Sequence, residues 1–335
     1  MEHPRTWLSI KNEGLYCEPG QFYIDPHSAV NAAIITHGHG DHARSGHNKV
    51  LATPATCSIM KSRYGEHCAV SFQSMNYQQA ITINQVKVYL LPAGHILGSA
   101  QLVMEYQGTR VIVSGDYKRA PDPTCTPFMA ENCDIFITEA TFSLPIFRHP
   151  PIEAELAKLL NSIAIHPDRS HLVGAYALGK CQRLIKSLRL LGYEEPVYLH
   201  GALIKLCELY QQTGIDLGEL KPASELDAKT SAGKLIICPP SALHDRWSRR
   251  FANPVIGNAS GWMQIRARAK QKGIDLPLII SDHADWSELT QTILEVNPSE
   301  IWVTHGREEA LVHYARQEGY RAQALNLLGY EEGED

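Results

Sequence analysis

Residues 36–42 read Thr-His-Gly-His-Gly-Asp-His, which places His37, His39, Asp41 and His42 within six residues. Neutral imidazoles and ionised carboxylates are the donors zinc prefers, at about 2.0–2.2 Å. Gly38 and Gly40 let the backbone turn tightly and bring alternate side chains toward one point. His37 and His39 suit one ion; Asp41 and His42, displaced along the loop, suit a second. A histidine-rich surface loop is the plain alternative, and the recurrence of matching donors downstream argues against it. His95 stands in the small-residue stretch 92–100, Asp116 follows Ser114-Gly115, and His283 and His305 sit in Ser-Asp-His-Ala-Asp and Thr-His-Gly. Asp116 can bridge two cations with its two oxygens. Glu139 is one carboxylate more than the metals need and suits a role holding a histidine. Asp25, just before Pro26, suits the same role, or equally that of a turn aspartate.

Each donor follows an apolar run, as expected where strands end in polar loops. Strands are predicted over 7–10, 21–24, 32–35, 85–91, 101–106, 110–113 and 135–138, and a helix over 54–64 with Pro54 at its start. Prolines 145, 150 and 151 then mark a change of texture. Helices over 152–165 and 179–191 alternate with strands over 171–175, 197–199 and 234–238, the α/β pattern of a parallel sheet. In 173–180 a strand leads through small residues into a helix N-terminus, which can hold a phosphate. G-x-x-x-x-G-K is present there, but Cys181 replaces the Ser or Thr of a Walker loop. Lys180, Arg183 and Lys186 share one helix face, which is either a phosphate contact or a solvated surface. Strands over 278–280 and 301–303 and helices over 285–296 and 307–318 return to the first texture. The ten other histidines, among them His47, His67, His200 and His313, read as ordinary surface or core residues.

At 335 residues the chain can hold two cores. No run approaches the roughly 18 apolar residues of a membrane span, and residues 1–5 lack a signal-peptide pattern. Eight cysteines without a C-x-x-C pair suggest reduced thiols in a cytoplasm. The net charge is −5, unevenly spread: residues 145–275 carry 18 Lys+Arg against 12 Asp+Glu, and the remainder 13 against 24. Bound cations would offset part of the acidic share, while the basic stretch can face a polyanion.

The order H-x-H-x-D-H, His95, Asp116, His305 is similar to that of the metal ligands in the metallo-β-lactamase superfamily. The stretch between Thr138-Glu139-Ala140-Thr141 and 281–285 resembles the β-CASP domain of nucleic-acid nucleases. Within it, Ala175-Tyr176-Ala177-Leu178-Gly179-Lys180 and Ser260-Gly261-Trp262-Met263 are matching segments. Residues 14–20 (Gly-Leu-Tyr-Cys-Glu-Pro-Gly), Asp25-Pro26 and His42-Ala43-Arg44 resemble bacterial ligase-associated DNA exonucleases, which are related to Artemis. The resemblance implies an α/β protein: an αββα metallo-β-lactamase sandwich from residues 1–143 and 276–335, with an inserted α/β β-CASP domain over 144–275 as a lid. It implies His37, His39, His95 and Asp116 on one zinc, and Asp41, His42, Asp116 and His305 on a second, with manganese as the alternative metal. Asp41, Glu139 and His283 are the expected catalytic groups, Glu139 supporting His283 and His283 acting at the leaving oxygen. Tyr176, Lys180 and Ser281 are the expected substrate contacts.

Such a site hydrolyses phosphodiesters, since two zincs lower the pKa of a shared water toward ~7 and stabilise charge on phosphoryl oxygens. The expected function is a DNA exonuclease working from an end in repair, with DNA and a DNA ligase or repair machinery as partners. The alternative is an RNA-processing endo- or exonuclease of the same fold. His305 favours the alternative, because RNA-processing members commonly have a histidine there and Artemis-type repair members lack it. A dead scaffold would lack ligands, and a small-molecule thioesterase or lactonase would need no basic insertion.

Overall fold

The computed structural model describes residues 4–325. They fall into two compact units, one built from the chain up to Arg148 and from His283 onward, the other His149–Asp282.

In the first unit, β1 (Leu8–Lys11), β2 (Gly14–Cys17), β3 (Phe22–Ile24), β4 (Ala32–Ile34), β5 (His47–Ala52) and β6 (Ala69–Ser74) form one sheet, in that order. Helix α1 (Pro54–Tyr64) joins β5 to β6. The second sheet takes β7 (Ile81–Ile83), β8 (Val86–Pro92), β9 (Ala100–Tyr106), β10 (Thr109–Val113) and β11 (Ile135–Ala140). The chain later returns to this sheet through α6 (Trp286–Val296), β18 (Glu300–Gly306), α7 (Glu308–Gln317) and β19 (Arg321–Ala324), giving the order β19-β18-β11-β10-β9-β8-β7. Apolar residues on the inner faces pack as one core: Leu15, Phe22, Ile24 and Ile34 from the first sheet meet Val88, Leu90, Leu102, Val111 and Ile137 from the second. On the outer faces, Cys57 and Met60 of α1 cover Ala33 and Val50, while Leu289, Ile293 and Leu311 of α6 and α7 cover Ile301 and Val303. This is a four-layer αββα sandwich.

The second unit holds a wholly parallel sheet in the order β14 (Leu220–Pro222), β13 (Val197–Leu199), β15 (Leu235–Cys238), β12 (His171–Gly174), β16 (Val255–Ala259), β17 (Leu276–Leu278). Its helices are α2 (Ile152–Ile165), α3 (Lys180–Leu190), α4 (Gly201–Gln212) and α5 (Arg266–Gln271). Near-continuous apolar strands such as Leu235–Cys238, buried throughout, are what a parallel sheet covered on both faces requires.

Three strand expectations shift. The strand predicted over 278–280 ends at Leu278, because the amide of Ile279 donates to the Glu155 carboxylate at 2.9 Å and leaves the ladder. Glu139 lies inside β11, not past its end; the pairing with β18 slips between Thr138 and Ala140. His305 likewise lies within β18, with a left-handed φ of 55°. The chain after Leu325, the end of the expected 276–335 segment, lies outside the described residues.

Candidate metal centre

Four loops at strand ends supply the donors. The first follows β4, where the chain turns through 36–42 and the amide of Ala43 closes onto the His39 carbonyl at 2.7 Å. Asp25, with φ 43°, holds this loop from behind. Its carboxylate accepts from the Thr36 amide (2.7 Å) and hydroxyl (2.5 Å) and pairs with Nδ1 of His42 at 2.8 Å. With Nδ1 engaged, the His42 ring offers Nε2 to the site. The second loop carries His95, whose amide donates to Ser99 Oγ at 3.1 Å. Gly94 is required here: its φ is 73°, and a Cβ would lie 2.3 Å from the Lys118 carbonyl oxygen. The third follows β10. Gly115 (φ 55°) lies so close to Thr36 that a Cβ would meet its side chain at 2.8 Å, and Asp116 comes next. The fourth is the His305 turn of β18.

These donors converge on one oxygen. Oδ2 of Asp116 lies 3.4 Å from Nε2 of His37, 3.4 Å from Nε2 of His42, 3.8 Å from Nε2 of His95 and 3.9 Å from Nδ1 of His283. Nε2 of His95 and Nδ1 of His39 are 3.0 Å apart. His37, His39, His95 and Asp116, all buried, each offer one donor atom, and those atoms lie within 4.8 Å of one another. The remaining pair lies beside His42: Oδ2 of Asp41 is 3.7 Å from Nε2 of His42, and the His42 and His305 rings stack at 4.9 Å. Thus all seven expected ligands are brought together.

The donor set fits a cation. Nε2 of His37 and Oδ1 of Asp116 are buried and make no hydrogen bond, a state normally explained by an ion or ligand. Burial opposes charge on Asp116, yet His42 and His37 hold its carboxyl well below the usual range. Burial also opposes charge on His42, but Asp116 and Asp41 raise its pKa well above the ordinary value. Both shifts report buried carboxylates that demand positive charge. Desolvation pushes His305 down to about 4, so its ring is neutral and ready to ligate at pH 7.

Beside this centre, Glu139 is buried. Its Oε1 accepts from the Tyr117 amide at 2.7 Å, and its Oε2 accepts from the Thr141 hydroxyl at 2.6 Å and faces Nδ1 of His283 at 3.1 Å. The His283 ring is thereby held with Nε2 as its other nitrogen.

The three expected substrate contacts lie in the second unit. Tyr176 is 36% exposed, in the turn after β12. Lys180 is 1% exposed, with Nζ 3.4 Å from Oδ1 of Asp282, and buried Arg183 donates to the Ser281 carbonyl at 2.7 Å. The basic face of α3 is therefore not a solvated surface: it grips the segment 281–282. A buried ammonium needs a counter-charge, and Asp282 supplies it. Ser281 is buried with it. The sequence reading passed over Thr36, Ser99 and Thr141, which hold the ligand loops. Only Ser99, beside the glycine of the His95 loop, carried a local signal.

No protein-family model matches the chain. It is 29% identical over 330 residues to a probable DNA ligase of Opitutus terrae, covering 95% of this chain and 31% of that protein. It is 23% identical to cleavage and polyadenylation specificity factor subunit 3-I of Arabidopsis thaliana, covering 86% of this chain and 53% of the relative. It is 24% identical to an RNase J-like protein of Methanocaldococcus jannaschii, over 59% and 53% of the two. The chain thus spans from just under a third to about half of these relatives' lengths. A crystal structure of a protein of unknown function from Enterococcus faecalis shares the fold, with a TM-score of 0.59 and 14% identity over 91% of this chain and 80% of that one. Sandwich, insertion and the order of candidate ligands are similar to those of the metallo-β-lactamase/β-CASP family, whose members these relatives are.

Proposed function

We propose that the chain is a metal-dependent phosphodiesterase that shortens DNA from an end. The observation that carries the hydrolytic reading is the position of Asp116 Oδ2 among four imidazoles, with further carboxylates close by. We read the site as holding two ions, zinc with manganese as the alternative. His37, His39, His95 and Asp116 would hold one; Asp41, His42, Asp116 and His305 would hold the other. When bound, such ions polarise the phosphoryl oxygens and lower the pKa of water. The chain's own residues do the rest. Asp25 fixes the tautomer and orientation of His42. Glu139 holds His283 through Nδ1, leaving Nε2 to donate a hydrogen bond or proton to the leaving oxygen.

The polymer enters through the second unit. Arg246, Arg249, Arg266, Lys270 and Lys272 are exposed there, and no carboxylate pairs with them among the described residues. Arg268 lies over the Trp262 ring at 4.2 Å. Free cations of this kind suit a phosphate backbone. DNA is favoured by the relative named as a probable DNA ligase, which aligns with 95% of this chain inside a longer protein. That arrangement also supports a ligase or repair complex as partner. The eight free cysteines, six of them buried, support a reducing cytoplasm. RNA cleavage is the second reading, favoured by His305 and by the RNA-processing names of two relatives.

Side-by-side digestion of end-labelled single- and double-stranded DNA and RNA tests the proposal, with closed circular single-stranded DNA as a further substrate. Linear DNA should be shortened progressively while the circle resists. Cutting of the circle at the linear rate, or faster loss of RNA, would overturn it.

A further inference from the structure

The two histidine loops of the first metal position, 36–42 and 92–100, come from different sheets; they meet directly where the Ala100 amide donates to the Thr36 carbonyl at 2.8 Å, and a second element can brace them if it touches both. Helix α1 does. At its start, the hydroxyls of Thr53 and Thr56 both donate to the Gly98 carbonyl, at 2.7 and 3.0 Å. Thr53 Oγ1 also caps the helix by accepting from the Thr56 amide at 3.1 Å. A carbonyl oxygen has two lone pairs, and here both are used. Gly98 is pressed against this end: a Cβ on it would lie 2.7 Å from Ala55 Cβ and from Thr53 Oγ1. At the last turn, Nη1 of Arg63 donates to the Gly38 carbonyl at 2.6 Å, between ligands His37 and His39. Gly38 and Gly40 are pressed against this end. A Cβ on Gly38 would lie 2.5 Å from Cγ2 of Ile59, and one on Gly40 would lie 3.1 Å from Nη2 of Arg63. Thr56, Ile59 and Arg63 stand at i, i+3 and i+7, so one stripe of the helix runs from the Gly98 contact to the Gly38 contact, with Thr53 and Ala55 adding to it at the helix start. The next stripe round the helix, Cys57 and Met60, is anchored in the sheet beneath.

We propose that α1 is the strut that sets the spacing of His37 and His39 against His95, with Thr56 and Arg63 as positioning residues for metal binding. This rests on the metal-binding part of the proposed function and not on the choice of substrate. Arg63 is exposed on the helix surface, so replacing it removes the loop contact without opening the core.

The test is zinc affinity by competition against a chelating dye, with the cobalt(II) absorption spectrum as a second readout, on the full chain without nucleic acid. Arg63→Ala and Thr56→Val should each weaken affinity about 10-fold, as loss of a ligand-supporting contact does, and shift the cobalt band. Arg63→Lys should restore most of the affinity, because a lysine can still donate to the Gly38 carbonyl. Ser58→Ala, on an exposed part of the same helix, should change neither readout. Wild-type affinity and spectrum in Arg63→Ala, or no recovery in Arg63→Lys, would overturn the strut. A wild-type chain that binds zinc yet digests no nucleic acid would overturn the nuclease reading alone. A wild-type chain that binds no zinc would overturn both.

Discussion

Nδ1 of His283 faces Oε2 of Glu139 at 3.1 Å, and the same carboxylate is pinned by the Tyr117 amide and the Thr141 hydroxyl. A histidine held this way keeps one ring orientation. The same Nδ1 lies 3.9 Å from Oδ2 of Asp116, so the ring sits beside the candidate metal centre.

From this geometry, His283→Ala should retain its metal and lose about 10²–10⁴-fold in turnover, the usual contribution of a positioned proton donor. Glu139→Gln should lose less, since the ring stays in place with a weaker partner. Turnover measured beside metal content checks both. Unchanged turnover in His283→Ala at full metal content would remove the residue from the reaction.

If the site holds two ions as proposed, Asp116 would serve both, because its Oδ2 is equidistant at 3.4 Å from Nε2 of His37 and of His42. Asp116→Ala should therefore lower total bound metal more than loss of His305, which is proposed as a ligand of one ion only. Elemental analysis of the purified variants decides this. Equal losses in the two would show that Asp116 serves one ion.

The cluster of candidate ligands was legible in the sequence because such residues are declared locally, by spacing and by the strand ends that precede them. Helix α1 was legible too, over Pro54–Tyr64. Its role was not, because the Gly38 and Gly98 carbonyls it holds are main-chain groups with no signature in the side chains around them. Glu139 read as a residue past a strand, but a register slip against β18 keeps it inside one. Lys180 read as a phosphate ligand because a lysine after a small-residue turn faces a helix N-terminus. The partner that buries it, Asp282, lies far along the chain, where pattern has no reach.

Lys180 carries a stability prediction as a result. Lys180→Met leaves the Asp282 carboxylate buried without its cation, a change that costs about 3–5 kcal/mol. Replacing both, Lys180→Met with Asp282→Leu, should recover much of that loss, because two apolar side chains leave no uncompensated charge. Denaturant unfolding of the wild type, single and double variants measures the coupling. A single variant as stable as wild type would mean that the pair is not a structural contact.

The last prediction concerns the surface that meets the polymer. If α3 spends its cations on residues 281–282, the phosphates must be met elsewhere in the second unit. The stretch from His244 to Lys272 carries seven Lys+Arg and a single acidic residue, Asp245. Asp245 is itself occupied, its carboxylate accepting from the Trp247 amide at 2.6 Å. The 244–251 loop and the end of α5 are neighbours, since Ile274 and Trp247 pack against one apolar cluster and a Cβ on Gly273 would lie 4.0 Å from His244. Their exposed cations therefore lie on neighbouring segments of the second unit. Each phosphate contact removed should flatten the slope of log K against log salt by about 0.9 for duplex DNA and about 0.7 for a single strand. Arg246→Ala, Arg249→Ala and Lys270→Ala combined should flatten it by two to three such contacts, with metal content and folding unchanged because all three side chains are exposed. Binding titrations across a salt series read this directly. A slope equal to that of the wild type would show that the polymer does not touch these segments, and would return the search for its phosphates to the Tyr176 turn.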